Sequence, residues 1–286
     1  MSMPARNPAN GADREFDLTD RDFRAIVDLV RQRAGIALAD HKRELVYSRL
    51  SRRLRALKLP SFAAYIQLLS SDAGNDEIGE FINAITTNLT AFFREGHHFD
   101  HMRYNVVEPC VRAAATGHKS LLVWSAGCST GEEPYSIAMT IASAWPNWAK
   151  HDVRILATDL DTNALARCRA GRYRRDSMNG VPAAYRSEFF RQVDAETAEI
   201  APAIRKMISF RQLNLQAVWP MRKSYDVIFC RNVMIYFDDT LIRQVLAGFH
   251  ARLKPGGTLY IGHSESASKH HDGFERIDKT TYRRSA

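Results

Sequence analysis

Two carboxylates, Glu132 and Glu133, follow directly on a glycine turn in the stretch LLVWSAGCSTGEEP, residues 121–134. The stretch begins as an apolar run, Leu121 to Trp124. It breaks into small residues at Ser125, Ala126 and Gly127, then turns through Ser129, Thr130 and Gly131. A strand, a tight glycine turn and a helix N-terminus make the front half of a nucleotide-type binding site. Glycines there let a ligand lie against backbone where a Cβ would obstruct it. A helix start that cradles a pyrophosphate should be free of fixed anions. The two glutamates therefore argue against a phosphate-rich ligand and for one that carries positive charge. Pro134 favours the first helical position, which makes Glu133 the N-cap with its carboxylate facing the mouth. The competing reading is a capping box from Thr130 to Glu133, with Pro134 where a backbone donor is needed.

Asp159, in ATDLD, stands at the C-terminal end of the next strand, where an acid can accept hydrogen bonds from two ribose hydroxyls. Asp161 reads as the cap of the following helix, a role also open to Asp159. A ribose-binding acid beside a cation-binding acid describes S-adenosylmethionine better than a dinucleotide, because its ammonium and sulfonium are positive and it has no phosphate. Its carboxylate end needs a cation, and Arg94 in TTNLTAFFRE (86–95) is the candidate. Asn214 in QLNLQ and Asn232 in CRNVMIY occupy the carboxyl edge of later strands, where amides can read an adenine edge or form turns. His97, His98 and His101 show no carboxylate or cysteine at ligand spacing, so no metal is expected. His263 in GHSES can line the pocket or be structural.

The elements that must position these residues fall into two patterns. From Asp17 to Ile82 the periodicity is helical. Thr19 or Asp20 can cap a helix carrying Phe23, Ile26, Val27 and Val30, which Gly35 ends. Asp40 can cap a second with Leu45, Val46, Leu50, Leu54 and Leu57 inward. A third runs through Phe62, Tyr65, Ile66 and Leu69, and a fourth through Ile78, Phe81, Ile82 and Ile85. The second helix carries seven Lys or Arg between Lys42 and Lys58 against one acid, Glu44. One sign without i,i+4 acidic partners points to a docking surface rather than a solvated face.

From residue 120 strands alternate with helices, the pattern of a parallel sheet covered on both faces. Strands are expected at Leu121–Trp124, Val153–Ala157, Ile208–Leu213, Val227–Cys230 and Thr258–Ile261. Helices are expected at Pro134–Ala144, Thr162–Ala170 and Thr240–Leu253, the last stopped sharply by LKPGG. Phe274–Ile277 and Thr281–Arg284 can close the sheet as a hairpin. Residues 172–207 are too long for a loop and read as an inserted subdomain.

The bulk numbers bound the reading. The chain has 286 residues, 45% hydrophobic and 25% charged, which suits two globular domains. No apolar run approaches the roughly 20 residues that span a bilayer, and the polar start lacks a signal-peptide core. Four scattered cysteines without a CxxC pair fit a reducing cytosol. The net charge of +8 implies an acidic partner.

Four motifs in order, TTNLTAFFRE (86–95), WSAGCSTGEEPYS (124–136), CRNVMIYF (230–237) and GHSES (262–266), together with the basic helix beginning DHKRELVYSRL, resemble the chemotaxis receptor methyltransferase family, CheR. The resemblance spans about residues 16 to 284. It implies an α/β chain: a small N-terminal helical, receptor-docking domain (16–85), an interdomain linker that contributes to the cofactor site (86–99), and a doubly wound, Rossmann-like methyltransferase domain (100–286) with a small inserted β-subdomain at about 172–207. The implied activity is S-adenosyl-L-methionine-dependent protein-glutamate O-methylation of the cytoplasmic helical bundle of methyl-accepting chemotaxis receptors, with S-adenosyl-L-homocysteine as product.

The resemblance places Asn88, Thr90 and Arg94 on the cofactor, with Gly127, Glu133 and Asp159 as argued above. It places Asn214, Leu215, Asn232 and Val233 around the adenine and the methyl-transfer region, and Tyr236 near the methyl group. Arg94 and Tyr236 are the catalytic candidates, orienting groups rather than exchanging protons. Arg49, Arg52, Arg53 and Arg55 face the acidic receptor. Some members also tether to a C-terminal receptor pentapeptide through a glycine-containing loop of the β-subdomain. Here no glycine falls between Gly180 and Gly248, so pentapeptide binding is not expected. A cytoplasmic monomer recruited to membrane-bound receptor arrays, with neither nucleic acid nor membrane insertion, completes the expectation. The rivals are an RNA methyltransferase, weakened by a basic helix without interleaved aromatics, and a non-catalytic module that senses S-adenosylmethionine.

Overall fold

Phe23, Ile26, Val30 and Ala34 recur at three- and four-residue spacing and are buried along one face of α1 (Asp20–Ala34). In the computed structural model, which describes residues 14–117 and 119–285, Thr19 starts this helix. Its hydroxyl accepts from Asp22 N (3.1 Å) while the Asp22 carboxylate accepts from Thr19 N (3.3 Å), a reciprocal cap. The chain divides into two units, Met1–Gln32 with Leu38–Ile85, and Arg33–Ala37 with Thr86–Ala286. Residues 1–13, most of the polar start, lie outside the described residues.

In the first unit α2 (Arg43–Leu57), α3 (Phe62–Leu69) and α4 (Asn75–Ile85) bury Val46, Leu50, Leu54, Phe62, Tyr65, Leu69, Phe81, Ile82 and Ile85. Two expectations are corrected. Asp40 opens a 3-10 turn (Asp40–Lys42) instead of capping α2, which begins at Arg43. Leu57 is 36% exposed, because Lys58 turns left-handed (φ 55°) and ends the helix there.

The basic residues of α2 also find partners, from elsewhere in the chain rather than along the helix. Arg53 grips Glu77 with two nitrogens (2.8 and 2.6 Å), and Tyr65 donates to the same carboxylate at 2.7 Å. Arg49 donates to the Ile85 carbonyl (2.7 Å) and Arg55 to Glu15 (2.7 Å). Arg52 and Arg55 are exposed, whereas Arg49 and Arg53 are partly buried.

The second unit opens with α5 (His97–Met102) and α6 (Glu108–Ala114). It continues through β1 (Ser120–Ala126), α7 (Glu132–Ala144), β2 (Asp152–Asp159), α8 (Thr162–Ala170), β3 (Arg172–Arg174), α9 (Ala183–Phe189), β4 (Phe190–Gln192), β5 (Thr197–Ile200), α10 (Pro202–Lys206) and β6 (Ile208–Gln212). It closes with β7 (Tyr225–Cys230), α11 (Asp239–Arg252), β8 (Leu253–Ile261), β9 (Phe274–Asp278) and β10 (Thr281–Arg284). The large sheet has the order β6-β2-β1-β7-β8-β10-β9. Its first five strands are parallel and the closing hairpin antiparallel. Alternate residues of β1 serve opposite faces. Leu121 and Val123 pack with Ile137 and Ile141 of α7, whereas Trp124 and Ala126 pack with Val245 and Phe249 of α11.

The chain steps outward from β1 to β2 to β6, then returns to the other side of β1 as β7. That reversal is where an open α/β sheet forms its ligand crevice, at the carboxyl ends of the strands. LKPGG stops α11 at Arg252 as expected, but it is itself the first half of β8, which was expected to begin at Thr258. The β7–β8 register shifts between Tyr225 and Val227, and this irregularity absorbs the proline and glycines. The inserted segment holds a three-stranded antiparallel sheet, β3-β5-β4, with a tight turn after β4 in which the Asp194 carboxylate accepts from Glu196 N and Thr197 N.

Candidate functional site

The glycine turn is bound down on its neighbour strand. Gly127 N and Cys128 N both donate to the Thr158 carbonyl (2.8 and 2.9 Å), and Ser129 N donates to Asp159 Oδ2 at 2.7 Å. Gly127, Ser129 and Gly131 take φ of 82°, 49° and 102°. A Cβ on Gly127 would lie 2.4 Å from Val233 Cγ2, so only glycine lets the turn and the loop after β7 meet. Asp159 Oδ1 accepts from Asp161 N (2.9 Å). Asp161 caps α8 through Asn163 N and Ala164 N. The second Asp161 oxygen accepts from Thr86 Oγ1 and Asn88 Nδ2, each 2.7 Å away, and Asn88 Oδ1 accepts from Ser129 Oγ at 3.3 Å. The 86–88 segment, the glycine turn and the end of β2 thus form one hydrogen-bonded rim.

Glu133 is not the N-cap. Helix α7 begins at Glu132, with Gly131 at the cap in a left-handed conformation. Pro134 is the third helical residue, where a missing N–H is still harmless because the first-turn donors have no intrahelical acceptor. Thr130 Oγ1 donates to Glu132 (2.7 Å), so the Thr130–Glu133 capping box does not form either. Glu133 instead points inward, 8% exposed. Its Oε1 accepts from Ser125 Oγ (2.7 Å) and its Oε2 from Arg231 at 3.2 Å. Burial pushes the Glu133 pKa up, with the Arg231 charge opposing it. Burial likewise raises Asp159, against the backbone donors of Asp161 and Ser129.

Arg231 was missed by reading CRNVMIY only for its asparagine. Its guanidinium is buried, lies 3.6 Å from Glu95 Oε2 and donates to the Arg94 carbonyl. The available signal was a lone cation directly after the apolar run YDVIFC, which demands an internal anion. Arg94 itself turns one nitrogen back to the Leu89 carbonyl (3.0 Å) and is flanked by Phe93 and Glu95, both with φ above 50°. Non-glycine residues hold such angles only where their surroundings enforce them.

The loop after β7 brings Asn232 and Val233 to the same edge. Asn232 has φ 59° and stands over Gly262, whose added Cβ would meet Asn232 Nδ2 at 2.6 Å. Tyr236 is half-buried and its carbonyl accepts from Ala37 N (2.7 Å). Thr90 is half-buried on the 86–96 segment. Asn214 is less available than expected. It forms a turn with Gln216 N and donates to the Arg33 carbonyl (2.8 Å), while Leu215 is buried in the α11 core. The bland reading of Asn214 as a turn residue describes its side chain in this structure.

The histidines also need correction. A carboxylate does join them: Glu95 lies with His97 and His98, all three ligand atoms within 4.8 Å of one another. The Arg231 guanidinium already supplies positive charge to Glu95 there, 3.6 Å from its Oε2. His98 is fully buried with its Nε2 on Thr280 Oγ1 (2.8 Å). Burial, with the Arg231 charge second, lowers its pKa from 6.5 to about 2. The folded state therefore binds fewer protons than the unfolded one below pH 6.5. Stability should fall as pH drops through that range, by up to about 1.4 kcal/mol per pH unit for this proton. His98→Gln should flatten that part of a urea-unfolding pH series. His263 is exposed and 3.3 Å from Glu95.

Two family models match the chain: the CheR methyltransferase all-alpha domain over residues 21–86 and the CheR methyltransferase SAM binding domain over residues 88–283. The chain is 43% identical to a probable chemotaxis protein methyltransferase of Rhizobium etli, over 87% of this chain and 94% of that one. It is also 43% identical to the chemotaxis protein methyltransferase of Escherichia coli K12, over 93% and 91%. A 34% identical relative with the same description occurs in Borreliella burgdorferi, over 94% and 96%.

Proposed function

Because the chain belongs to the CheR methyltransferase family and is an S-adenosylmethionine-dependent methyltransferase, we propose that it esterifies glutamate side chains on the cytoplasmic helical bundle of methyl-accepting chemotaxis receptors. The observation that supports this best is a pair of carboxylates, buried Glu133 and partly buried Asp159, set either side of the glycine turn that follows β1. Both are pushed toward protonation by burial, and a ligand bearing an ammonium and two ribose hydroxyls satisfies them. A pyrophosphate does not.

Bound S-adenosylmethionine supplies an electrophilic methyl group on a sulfonium. Glu133 receives the ammonium and Asp159 the ribose hydroxyls. Gly127 gives backbone access, and Asn88 and Thr90 complete the rim around the cofactor. Arg94 receives the methionyl carboxylate. Asn232 and Val233 flank the adenine, with Asn214 and Leu215 contributing the loop after β6. Tyr236 aligns the incoming carboxylate at the methyl. That carboxylate, with a pKa of about 4.3, is already ionised at neutral pH, so no general base is needed. Charge on both partners shrinks in the transition state, and alignment in a dry pocket contributes up to roughly 7–11 kcal/mol.

Arg52 and Arg55 present exposed charge on α2 and steer the acidic receptor, while Arg49 and Arg53 help build the helical unit that carries them. The tight turn after β4 has no glycine, and an NWETF-type peptide should show no low-micromolar binding in calorimetry. Peptide mapping of receptor after incubation with labelled cofactor tests the residue assignment. Methyl on glutamate carboxyls is expected, and methyl confined to lysine or arginine overturns it. No helix among the described residues is long and apolar enough to cross a membrane.

A further inference from the structure

We infer that Glu265 is a positioning residue for methyl transfer, acting through the backbone of residues 232–235. Its side chain does not line the glycine turn. It reaches into the loop after β7 and accepts hydrogen bonds from five backbone donors. Oε1 accepts from Val233 N (3.0 Å) and Met234 N (2.7 Å), with Ile235 N at 3.3 Å. Oε2 accepts from Asn232 N (3.0 Å) and Gly262 N (2.5 Å). Four consecutive N–H groups converging on one point make an anion-binding nest. Asn232 in the left-handed region (φ 59°) followed by Val233 in the right-handed one (φ −114°, ψ −49°) gives the nest its curvature. Such a concavity commonly holds a phosphate. Here the chain fills it with its own carboxylate from the loop after β8.

The carboxylate holds a loop that has little intrinsic reason to keep its shape. A left-handed asparagine and a short 3-10 turn, Met234–Tyr236, carry no regular hydrogen-bond ladder. What the loop displays on its other side is the working surface. Val233 abuts Gly127 so closely that a single methyl there would collide. Asn232 stands over Gly262. Tyr236 follows directly. A shift of this backbone moves the wall opposite the glycine turn. Burial raises the Glu265 pKa while the Gly262, Asn232, Met234 and Val233 donors oppose that rise. The nest therefore favours the charged form. An amide of the same shape would turn one NH2 group toward N–H donors and leave them unpaired.

The consequence for catalysis rests on the proposed role of Asn232, Val233 and Tyr236, so the test starts from the wild-type protein. Calorimetric titration of full-length wild type with S-adenosylhomocysteine comes first; absence of binding sinks the site reading itself. Given binding, Glu265→Gln should raise the Kd for S-adenosylhomocysteine and the KM for S-adenosylmethionine by roughly tenfold or more, and lower kcat as Tyr236 loses alignment. Val245→Ala in the α11 core provides the control. It loosens the apolar cluster that also holds Met234 while removing none of the hydrogen bonds to Glu265, and compared under conditions of equal unfolded fraction it should leave cofactor affinity unchanged. Glu265→Asp, which keeps the charge but shortens the reach, serves if the glutamine variant does not fold, with the same rise in Kd expected. Wild-type affinity in the Glu265 variant, or an equal rise in Val245→Ala, overturns the inference.

Discussion

Replacing Arg231 with methionine should destabilise the protein by about 3–5 kcal/mol, the range found when one partner of a buried ion pair is removed. Methionine keeps the apolar reach of the side chain, so the loss isolates the charge. Glu133 then keeps only Ser125 as a partner in a site from which water is nearly excluded. Glu95 loses the guanidinium 3.6 Å away and the Arg94 carbonyl loses its donor. The pH dependence has a definite sign. Glu133 is already raised by burial, and removing Arg231 removes the opposing charge, so its folded-state pKa climbs further. A carboxyl with a raised folded-state pKa favours folding below its unfolded value and loses that contribution as pH rises through the folded one. Urea unfolding of Arg231→Met should therefore show a smaller deficit near pH 5 than near pH 8. Adding Glu133→Gln should recover part of the deficit at pH 8, because an uncharged amide replaces the stranded anion. Equal deficits at both pH values, with no recovery in the double variant, would show that Arg231 acts through packing alone.

Asp159→Ala should raise the dissociation constant for S-adenosylmethionine by roughly two to four orders of magnitude. Hydrogen bonds to a charged acceptor contribute about 1.5–3 kcal/mol each, and the proposed role uses two of them. The same carboxylate already holds Ser129 N and Asp161 N, so the substitution also releases the glycine turn. Asp159→Asn separates these contributions. Its remaining oxygen can hold one backbone donor, and its affinity should fall between wild type and Asp159→Ala. Calorimetry on the folded variants reads this directly, and unchanged cofactor affinity in Asp159→Ala would remove the residue from the site.

Much of this architecture was legible because it follows from periodicity. Strands β1, β2 and β7 are mostly apolar runs ended by small or polar residues, β6 alternates apolar and polar, and the helices between them repeat at three and four residues. That the chain reverses beside β1 was not legible, since strand order depends on which crossovers pack. Asp159 and the glycine turn could be placed beside one another because each sits at a strand end. Glu133 was expected to face the mouth as the N-cap, but Gly131 caps the helix and Glu133 points inward, where Arg231, almost a hundred residues on, sets the environment of its carboxylate. Long-range pairings of this kind leave no spacing in the sequence. Arg53 with Glu77 and Glu265 with the 232–235 backbone escaped for the same reason, whereas Glu95, two and three residues before His97 and His98, was legible from local spacing. Asn214 is a different case. Its type allowed either a turn or a ligand contact, and only the Gln216 and Arg33 bonds decide which its side chain makes here.

A labelled methyl group can be followed from S-adenosylmethionine in a mixture of the purified protein, receptor-rich membranes and RNA. The expected result is label on the receptor that is released as volatile methanol by mild base, the behaviour of a carboxyl ester, and no label on RNA. Label on RNA alone, or base-stable label on the receptor, would contradict it.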